Sequence, residues 1–351
     1  HSANVLGYIR EVDQNIIDRN PAYELGEIIG MTGIEKQYEQ ILRGTKGVKY
    51  IQKDRFNRDI GAYKDGIFDT LPKRGKDITL TIDAALQAYG EKLFTNKRGG
   101  IVAIEPSSGE ILSLVTAPYY DPGLLVGRER SENFTKLYYD TIAIPLFDRG
   151  LKAEYPPGSP FKTLTALIAM QENVVSLDEK IECRGGYYYG KRGRKLGCHE
   201  HKSPINLQGG IAKSCNTYFC TVYKRVIEKY NTPQQGIDNW RGHLTSFGLG
   251  NYLGYDLPVG SKGKIPSSKT YNAKYPNNNW YATATISNAI GQGEVLLTPI
   301  QMANFTAAIA NRGWWVRPHM IKNIQDHDTI AKAFEYKNKT SIDPKYFEPI
   351  I

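Results

Sequence analysis

Apolar and polar positions alternate in short runs through the first seventy residues, and only one stretch there has a helical period. "ANVLGYIREV" (3–12) reads as extended chain. "MTGIEKQYEQILRG" (31–44) repeats Ile34, Tyr38, Ile41 and Leu42 at helical spacing, with Thr32 as N-cap, Glu35 three residues later and Gly44 as the stop. A polar, turn-rich stretch follows, and "LPKRGKDI" (71–78) reads as a linker, dividing the chain into residues 1–75 and 76–351. Beyond it a strand over 78–82 runs into a helix that Asp83 caps. "GGIVAIEPSSGEILSLVTA" (99–117) predicts a hairpin around Pro-Ser-Ser-Gly. Helices are predicted at 160–172, 209–230 and 298–312, with irregular stretches at 181–206 and 250–280 long enough to be functional or to be held by something else. The fold class is α+β, an antiparallel sheet packed against helices, and no internal repeat is present.

Composition changes this picture little. A chain of 351 residues, 40% hydrophobic and 23% charged, has the balance of a folded protein that can bury a sizeable core. No run of about 18 apolar residues suggests a bilayer span, and no signal peptide opens the sequence. The net charge of +9 is scattered, with one local cluster, "GKRGRK" (190–195). Without a zinc-finger, helix-turn-helix or RNA-motif pattern it does not specify nucleic acid as a partner. It suits a solvated basic surface or work beside an anionic membrane or envelope polymer.

Candidate chemistry begins at "YPPGSPFKTLTAL" (155–167). Pro156 and Pro157 cannot continue a helix, Gly158 permits a tight entry, and Ser159 then opens an apolar helix. Lys162, three residues on, shares its face. A serine hydroxyl becomes a competent nucleophile when a neutral amine takes its proton, and burial makes a lysine neutral more readily. Helix-start amides can add oxyanion stabilisation. The plainer account is a helix cap and a solvated lysine, and "SKGK" (261–264) matches the same spacing in a Gly-rich loop. Downstream, Ser214-Cys215-Asn216 sets a hydroxyl and an amide two residues apart, able to relay a proton and to hold an amide carbonyl. Ser2/Asn4 and Ser131/Asn133 share that spacing but precede Ser159.

Four cysteines complete the inventory. Cys183, Cys198, His201 and Cys215 have the spacing of a Cys₃His zinc site that would pin the 181–206 loop to the Ser214–Asn216 segment, with His199 as an alternative ligand. Disulfides and buried free thiols are the competing readings, the latter above all for Cys220 in "YFCTVY".

"YPPGSPFK", "SCN" and "AIGQGEVLLTPIQMA" (289–303), in that order, resemble the transpeptidase domain of class B penicillin-binding proteins, most closely the elongation-specific members. "GMTGIEKQYEQILRGTKG" (30–47), the 99–117 hairpin and "LFDRGLKAEYPPGS" resemble the same class, so the likeness runs along nearly the whole chain. The resemblance implies a penicillin-binding/serine β-lactamase-like fold on a small N-terminal pedestal. It makes Ser159 the acylated nucleophile, Lys162 its general base, and Ser214 and Asn216 the second motif of a peptidoglycan D,D-transpeptidase. Stem peptides are then the substrates and β-lactams the inhibitors, no catalytic cofactor is required, and a zinc site in this loop is a feature of some members. It further implies a membrane anchor upstream, a periplasmic catalytic domain, and contact of the pedestal with a glycosyltransferase of the shape-elongation-division-sporulation family. A serine β-lactamase and an inert β-lactam-binding scaffold are the alternatives. Gly291, Gln292 and Gly293 read as architecture. The family's third motif, Lys-Thr/Ser-Gly, is missing; Lys269-Thr270-Tyr271 is the nearest run, lies before "TPIQMA", and carries tyrosine where the motif needs glycine. The expectation is a transpeptidase domain truncated before that strand, poorly folded and inactive if nothing follows Ile351.

Overall fold

The computed structural model describes residues 1–190, 193–326 and 334–351. Lys191 and Arg192 of the basic cluster lie outside them.

The first ten residues are not one extended piece. Ala3–Leu6 forms a helical turn (α1) that buries Ala3 and Val5. Gly7, at φ 87°, then lets the chain pass so close to Thr32 that a Cβ would meet its carbonyl oxygen at 1.9 Å. Only Ile9–Glu11 (β1) is a strand; α2 (Gln14–Arg19), capped by Asp13, leads to its antiparallel partner β2 (Ile28–Gly30). The single helix expected over 31–44 is two, α3 (Gly33–Gln37) and α4 (Glu39–Leu42), and Thr32 makes no side-chain cap bond. Tyr38 between them leaves helical geometry, and its hydroxyl donates to buried Asp256 at 2.7 Å. That bond ties this region to the strand Ile321–Ile324, because Met320 and Ile321 N–H also donate to Asp256. The hairpin of β3 (Ile51–Lys53) and β4 (Asp59–Ala62) follows.

β5 (Ile78–Leu80) and α5 (Ala84–Leu93) form as expected, with Asp83 accepting from Ala85 and Leu86 N–H. The hairpin of β6 (Gly99–Ile104) and β7 (Ile111–Ala117) pairs from Gly99↔Ala117 to Ile104↔Ile111 with a bulge near the turn. Helices α6 (Arg130–Tyr139) and α7 (Arg149–Lys152) lead to α8 (Lys162–Gln171). Both stretches read as irregular contain elements. The first holds a hairpin of β8 (Gly186–Tyr189) and β9 (Arg194–Gly197). The helix expected over 209–230 is broken into α9 (Leu207–Ala212) and α10 (Asn216–Glu228), because Ser214 takes a left-handed φ of 49°. After α11 (Pro233–Ser246), the second stretch contains α12 (Ser268–Asn272). Lys269-Thr270-Tyr271 lies in that helix with Tyr271 buried, so it is no cleft-lining strand. Helix α13 (Pro299–Ala310), started by a Thr298–Gln301 capping box, precedes β10 (Trp314–Val316), β11 (Ile321–Ile324) and β12 (Lys337–Lys339).

The expected antiparallel sheet is broken into antiparallel pairs among the described residues: β5 with β11, β6 with β7 and β10 with β12. Backbone bonds from Ile111 N–H to His319 O and from Asp83 N–H to Leu112 O, both 2.9 Å, join the first two. Behind them lies the main core. Phe161, Leu164, Leu167 and Ile168 of the α8 segment are fully buried among Phe219, Tyr223, Ile237 and Trp240, so α8 is fixed on nearly all sides. Burying four such side chains contributes roughly 6–12 kcal/mol, enough to hold whatever α8 carries at its start.

Candidate active site

The turn that presents Ser159 is braced from outside. Gly158, at φ 66°, donates its N–H to Gly291 O at 2.9 Å, and Tyr155 and Leu297 exchange backbone bonds of 2.9 and 2.8 Å. One turn into α8, the Thr165 hydroxyl donates to Ala289 O at 2.9 Å. Gly291 has φ 68°, and a Cβ there would lie 2.5 Å from Gly158 O. The Gly-Gln-Gly segment is architecture, as the sequence suggests, but architecture applied to the Ser159 turn. Only the two flanking glycines hinted at it. Ser159–Phe161 make a 3-10 turn, so the Ser159 N–H points out of the helix start without an intrahelical acceptor.

Ser159 is exposed and Lys162 is buried, only 2% exposed. The i, i+3 spacing suggests a direct pair, yet the structure inserts Ser214 between them. Lys162 Nζ donates to Ser214 Oγ at 2.8 Å, and Ser214 Oγ donates to Ser159 Oγ at 2.9 Å. The lysine's other donors go to Ser214 O and Asn216 Oδ1, both at 2.6 Å. A lysine at the first position of a buried helix reaches along the core, and it meets the break between α9 and α10 rather than its own serine. That break makes the site. The left-handed Ser214 costs about 1–3 kcal/mol and turns both its hydroxyl and its carbonyl toward the amine. Cys215 caps α10 by accepting from Tyr218 N–H at 3.3 Å, and Asn216 opens that helix.

All three acceptors around Lys162 are neutral, and no carboxylate among the described residues pairs with it. Burial lowers its pKa, against an opposing pull from the sulfurs of Cys198, Cys215 and Cys220. The Asn216 amide is fixed in orientation, its Oδ1 on Lys162 and its Nδ2 donating to Gly197 O at 2.7 Å. Gly197, at the end of β9, drew no notice in the sequence.

The other matches to these spacings go elsewhere. Ser261 bonds to Glu154, Asn4 to Pro145 O and Asn133 to Leu124 O.

Cys183, Cys198, His201 and Cys215 converge, their ligand atoms all within 4.8 Å of one another. All four cysteines are free thiols. Cys198 Sγ lies 3.9 Å from Cys215 Sγ and 3.6 Å from His201 Nε2. A tetrahedral zinc with ordinary Zn–S and Zn–N bonds requires edges of about 3.8 and 3.6 Å. His201 Nδ1 faces Lys202 O at 2.7 Å, which leaves Nε2 as the ligand nitrogen. Two N–H···S bonds at 3.3 Å, from Asn216 and Tyr218, support Cys198 and Cys215. Burial raises the Cys183 thiol, but bonds from the Thr217 hydroxyl and Gly185 N–H outweigh it and bring it to about 7. His199 stacks edge-on against His201 and is outside the cluster, and Cys220 is buried in the core.

An exposed serine linked through a second serine to a buried lysine, on an α-helical and antiparallel frame, is the arrangement that serine acyl transfer needs. The family comparison agrees. Residues 99–350 match the penicillin binding protein transpeptidase domain and residues 1–80 the penicillin-binding protein dimerisation domain; the chain belongs to this family. It is 32% identical to the peptidoglycan D,D-transpeptidase MrdA of Acinetobacter baumannii, over 96% of this chain and 48% of that protein. With MrdA of Escherichia coli K12 the identity is 30%, over 91% of this chain and 49% of that one. The chain thus spans about half the length of the curated relatives it matches. Among solved structures, Pseudomonas aeruginosa PBP2 in complex with WCK 5153 superposes with a TM-score of 0.80 at 29% identity, covering 99% of this chain and 70% of that one. The complex of PBP2 and MreC from Helicobacter pylori gives 0.78 at 27%, covering 99% and 61%. No helix among the described residues is long and apolar enough to cross a membrane.

Proposed function

We propose that this chain carries the acylation centre of a peptidoglycan D,D-transpeptidase of cell elongation, with Ser159 as nucleophile, Lys162 as general base, and Ser214 and Asn216 as its partners. Ser159 Oγ attacks the penultimate D-Ala carbonyl of a stem peptide. With Lys162 neutral, Ser214 turns its hydroxyl hydrogen from Ser159 to the lone pair of Lys162 Nζ; the Ser159 proton then passes to Ser214 Oγ as the Ser214 proton passes to Nζ, so Ser214 stays a neutral hydroxyl and the amine becomes ammonium. The new C–O bond forms as the C–N bond to the terminal D-Ala breaks, and that amine leaves with the lysine's proton. The amine of a second stem peptide then resolves the ester and returns the proton to Ser159. Asn216 holds the lysine through Oδ1 and offers its free amide hydrogen to the acyl donor, while the Ser159 N–H faces the developing oxyanion. No cofactor enters these steps.

The line Ser159 Oγ–Ser214 Oγ–Lys162 Nζ carries this reading. The decisive experiment is mass spectrometry of the full-length protein after exposure to penicillin. One adduct on the peptide containing Ser159, absent in Ser159→Ala, is expected; an adduct elsewhere, or none, removes the assignment. A β-lactamase would turn nitrocefin over continuously, and an inert β-lactam-binding scaffold would take the adduct without cross-linking stem peptides; the dimerisation-domain match over residues 1–80 favours neither.

We further propose that Cys183, Cys198, His201 and Cys215 hold a structural zinc. The edges of the cluster and its fixed histidine support this, and the metal would supply order to a Gly- and Tyr-rich loop, with no role in the reaction. A division near residue 75 is supported by pairing, since β1–β2 and β3–β4 close among themselves whereas β5 pairs with β11. The relatives' named activity supports a periplasmic site on a membrane-anchored protein. The Helicobacter complex with MreC supports a pedestal that meets other wall-synthesis proteins, a glycosyltransferase of the shape-elongation-division-sporulation family among them.

A further inference from the structure

Gly197 has no structural reason to be glycine. Its φ lies outside the left-handed region, unlike Gly158 or Gly291. A Cβ built on it meets no atom of the described residues within 4 Å, so neither their packing nor close backbone approach forbids a side chain. Strand alternation sets its side-chain position opposite those of Leu196, half-buried on the core, and Cys198, turned into the thiol cluster. The residue therefore faces outward. Its carbonyl meanwhile accepts from Asn216 Nδ2 at 2.7 Å. From that amide three bonds lead to the nucleophile: Asn216 Oδ1 to Lys162 Nζ, Lys162 Nζ to Ser214 Oγ, and Ser214 Oγ to Ser159 Oγ. Asn216 Nδ2 has one hydrogen left, and an acyl donor that takes it while seated on Ser159 passes beside Gly197.

We propose that Gly197 is a specificity-determining residue: the absent side chain keeps open the wall of the cleft against which the acyl donor's side chain lies, and so sets how bulky a donor the site admits. The inference rests on Ser159 being the acylated serine. It assigns to the β8–β9 hairpin a selective task, beyond holding Asn216 by its backbone.

The test uses the full-length protein and two penicillins that share one nucleus, one with a small acylamino side chain and one with a bulky, branched side chain. Second-order acylation rates are measured for the wild type, Gly197→Ala and Gly197→Leu, with melting temperature as the check on folding. The bulky-to-small rate ratio should fall by about tenfold or more in Gly197→Leu and by a smaller factor in Gly197→Ala, the size of effect a few methylenes have in a confined site. If Gly197→Leu does not fold, the ratio in Gly197→Ala decides. An unchanged ratio in a folded variant overturns the inference, and so does an equal fall with both penicillins, which would mean general damage to Asn216. A wild type not acylated at Ser159 would defeat the functional reading itself, a separately visible outcome.

Discussion

Ser214 Oγ stands 2.9 Å from Ser159 Oγ and intervenes between that serine and the amine of Lys162. A proton leaving Ser159 therefore has a two-step path, and the hydroxyl at 214 is its middle. Ser214→Ala should lower the second-order rate of β-lactam acylation by about 10²–10⁴-fold with a small change in melting temperature. Ser214→Thr, which keeps the hydroxyl, should recover part of it. Fluorescent penicillin labelling over time measures both; an alanine variant within a few-fold of wild type would mean that the lysine reaches Ser159 unaided.

Gly291 tests the brace behind Ser159. A Cβ there would meet Gly158 O at 2.5 Å and Phe161 Cβ at 2.7 Å, and the φ of 68° disfavours any side chain. Gly291→Ala should destabilise the protein by about 1–3 kcal/mol and slow acylation beyond what the lost stability explains. Denaturant unfolding and labelling at a temperature where both proteins are folded separate the two effects.

The thiol cluster predicts one equivalent of zinc in purified protein and a melting temperature that falls when a strong chelator removes it. Cys183→Ser should lower metal content and stability together, because Cys183 links the loop to Thr217 on α10. Elemental analysis and calorimetry check this. No bound zinc with four titratable thiols would return the cluster to the reading of buried free thiols.

Asp148 gives the pH dependence its sign. Burial raises its carboxyl to about 6, against bonds from Leu151 N–H, the Thr116 hydroxyl and Gly150 N–H. The unfolded chain releases this proton near the ordinary 3.8, so between the two values the native state holds more protons than the unfolded one. Its contribution is thus favourable at acid pH and is lost as pH rises from about 4 to about 6, a change of roughly 3 kcal/mol. Asp148→Asn should flatten that part of the stability curve, measured by denaturant unfolding across the range. A variant with the wild-type slope would show that another group titrates there.

The Tyr38 hydroxyl is the one bond of its pair that a single atom removes. Tyr38→Phe should cost about 1–2 kcal/mol in thermal unfolding, while Asp256 keeps the Met320 and Ile321 N–H bonds. No change would show that packing alone joins the two regions.

Residues close in the chain were legible in the sequence, because their order follows from local chemistry. The Pro-Pro-Gly entry, Asp83 as a cap, the 99–117 hairpin and the start of α13 each depend on a few adjacent side chains and backbone angles. The ordered motifs around Ser159 and Ser214 likewise named four residues that the fold brings into contact. Spacing failed where a distant contact overrode it: Tyr38 breaks its helix to reach Asp256, 218 positions away, and Ser214 breaks another to face Lys162, 52 positions away.

Only the tertiary structure decided how the groups are wired. Residue types at 159, 162, 214 and 216 determine what chemistry is available, since a hydroxyl, an amine and an amide each bring a limited set of donors and acceptors to any site. Which oxygen the amine touches, which carbonyl orients the amide and which glycine braces the serine depend on packing between segments up to 133 positions apart. A one-dimensional pattern cannot hold that information, because burial and close approach are properties of neighbours in space.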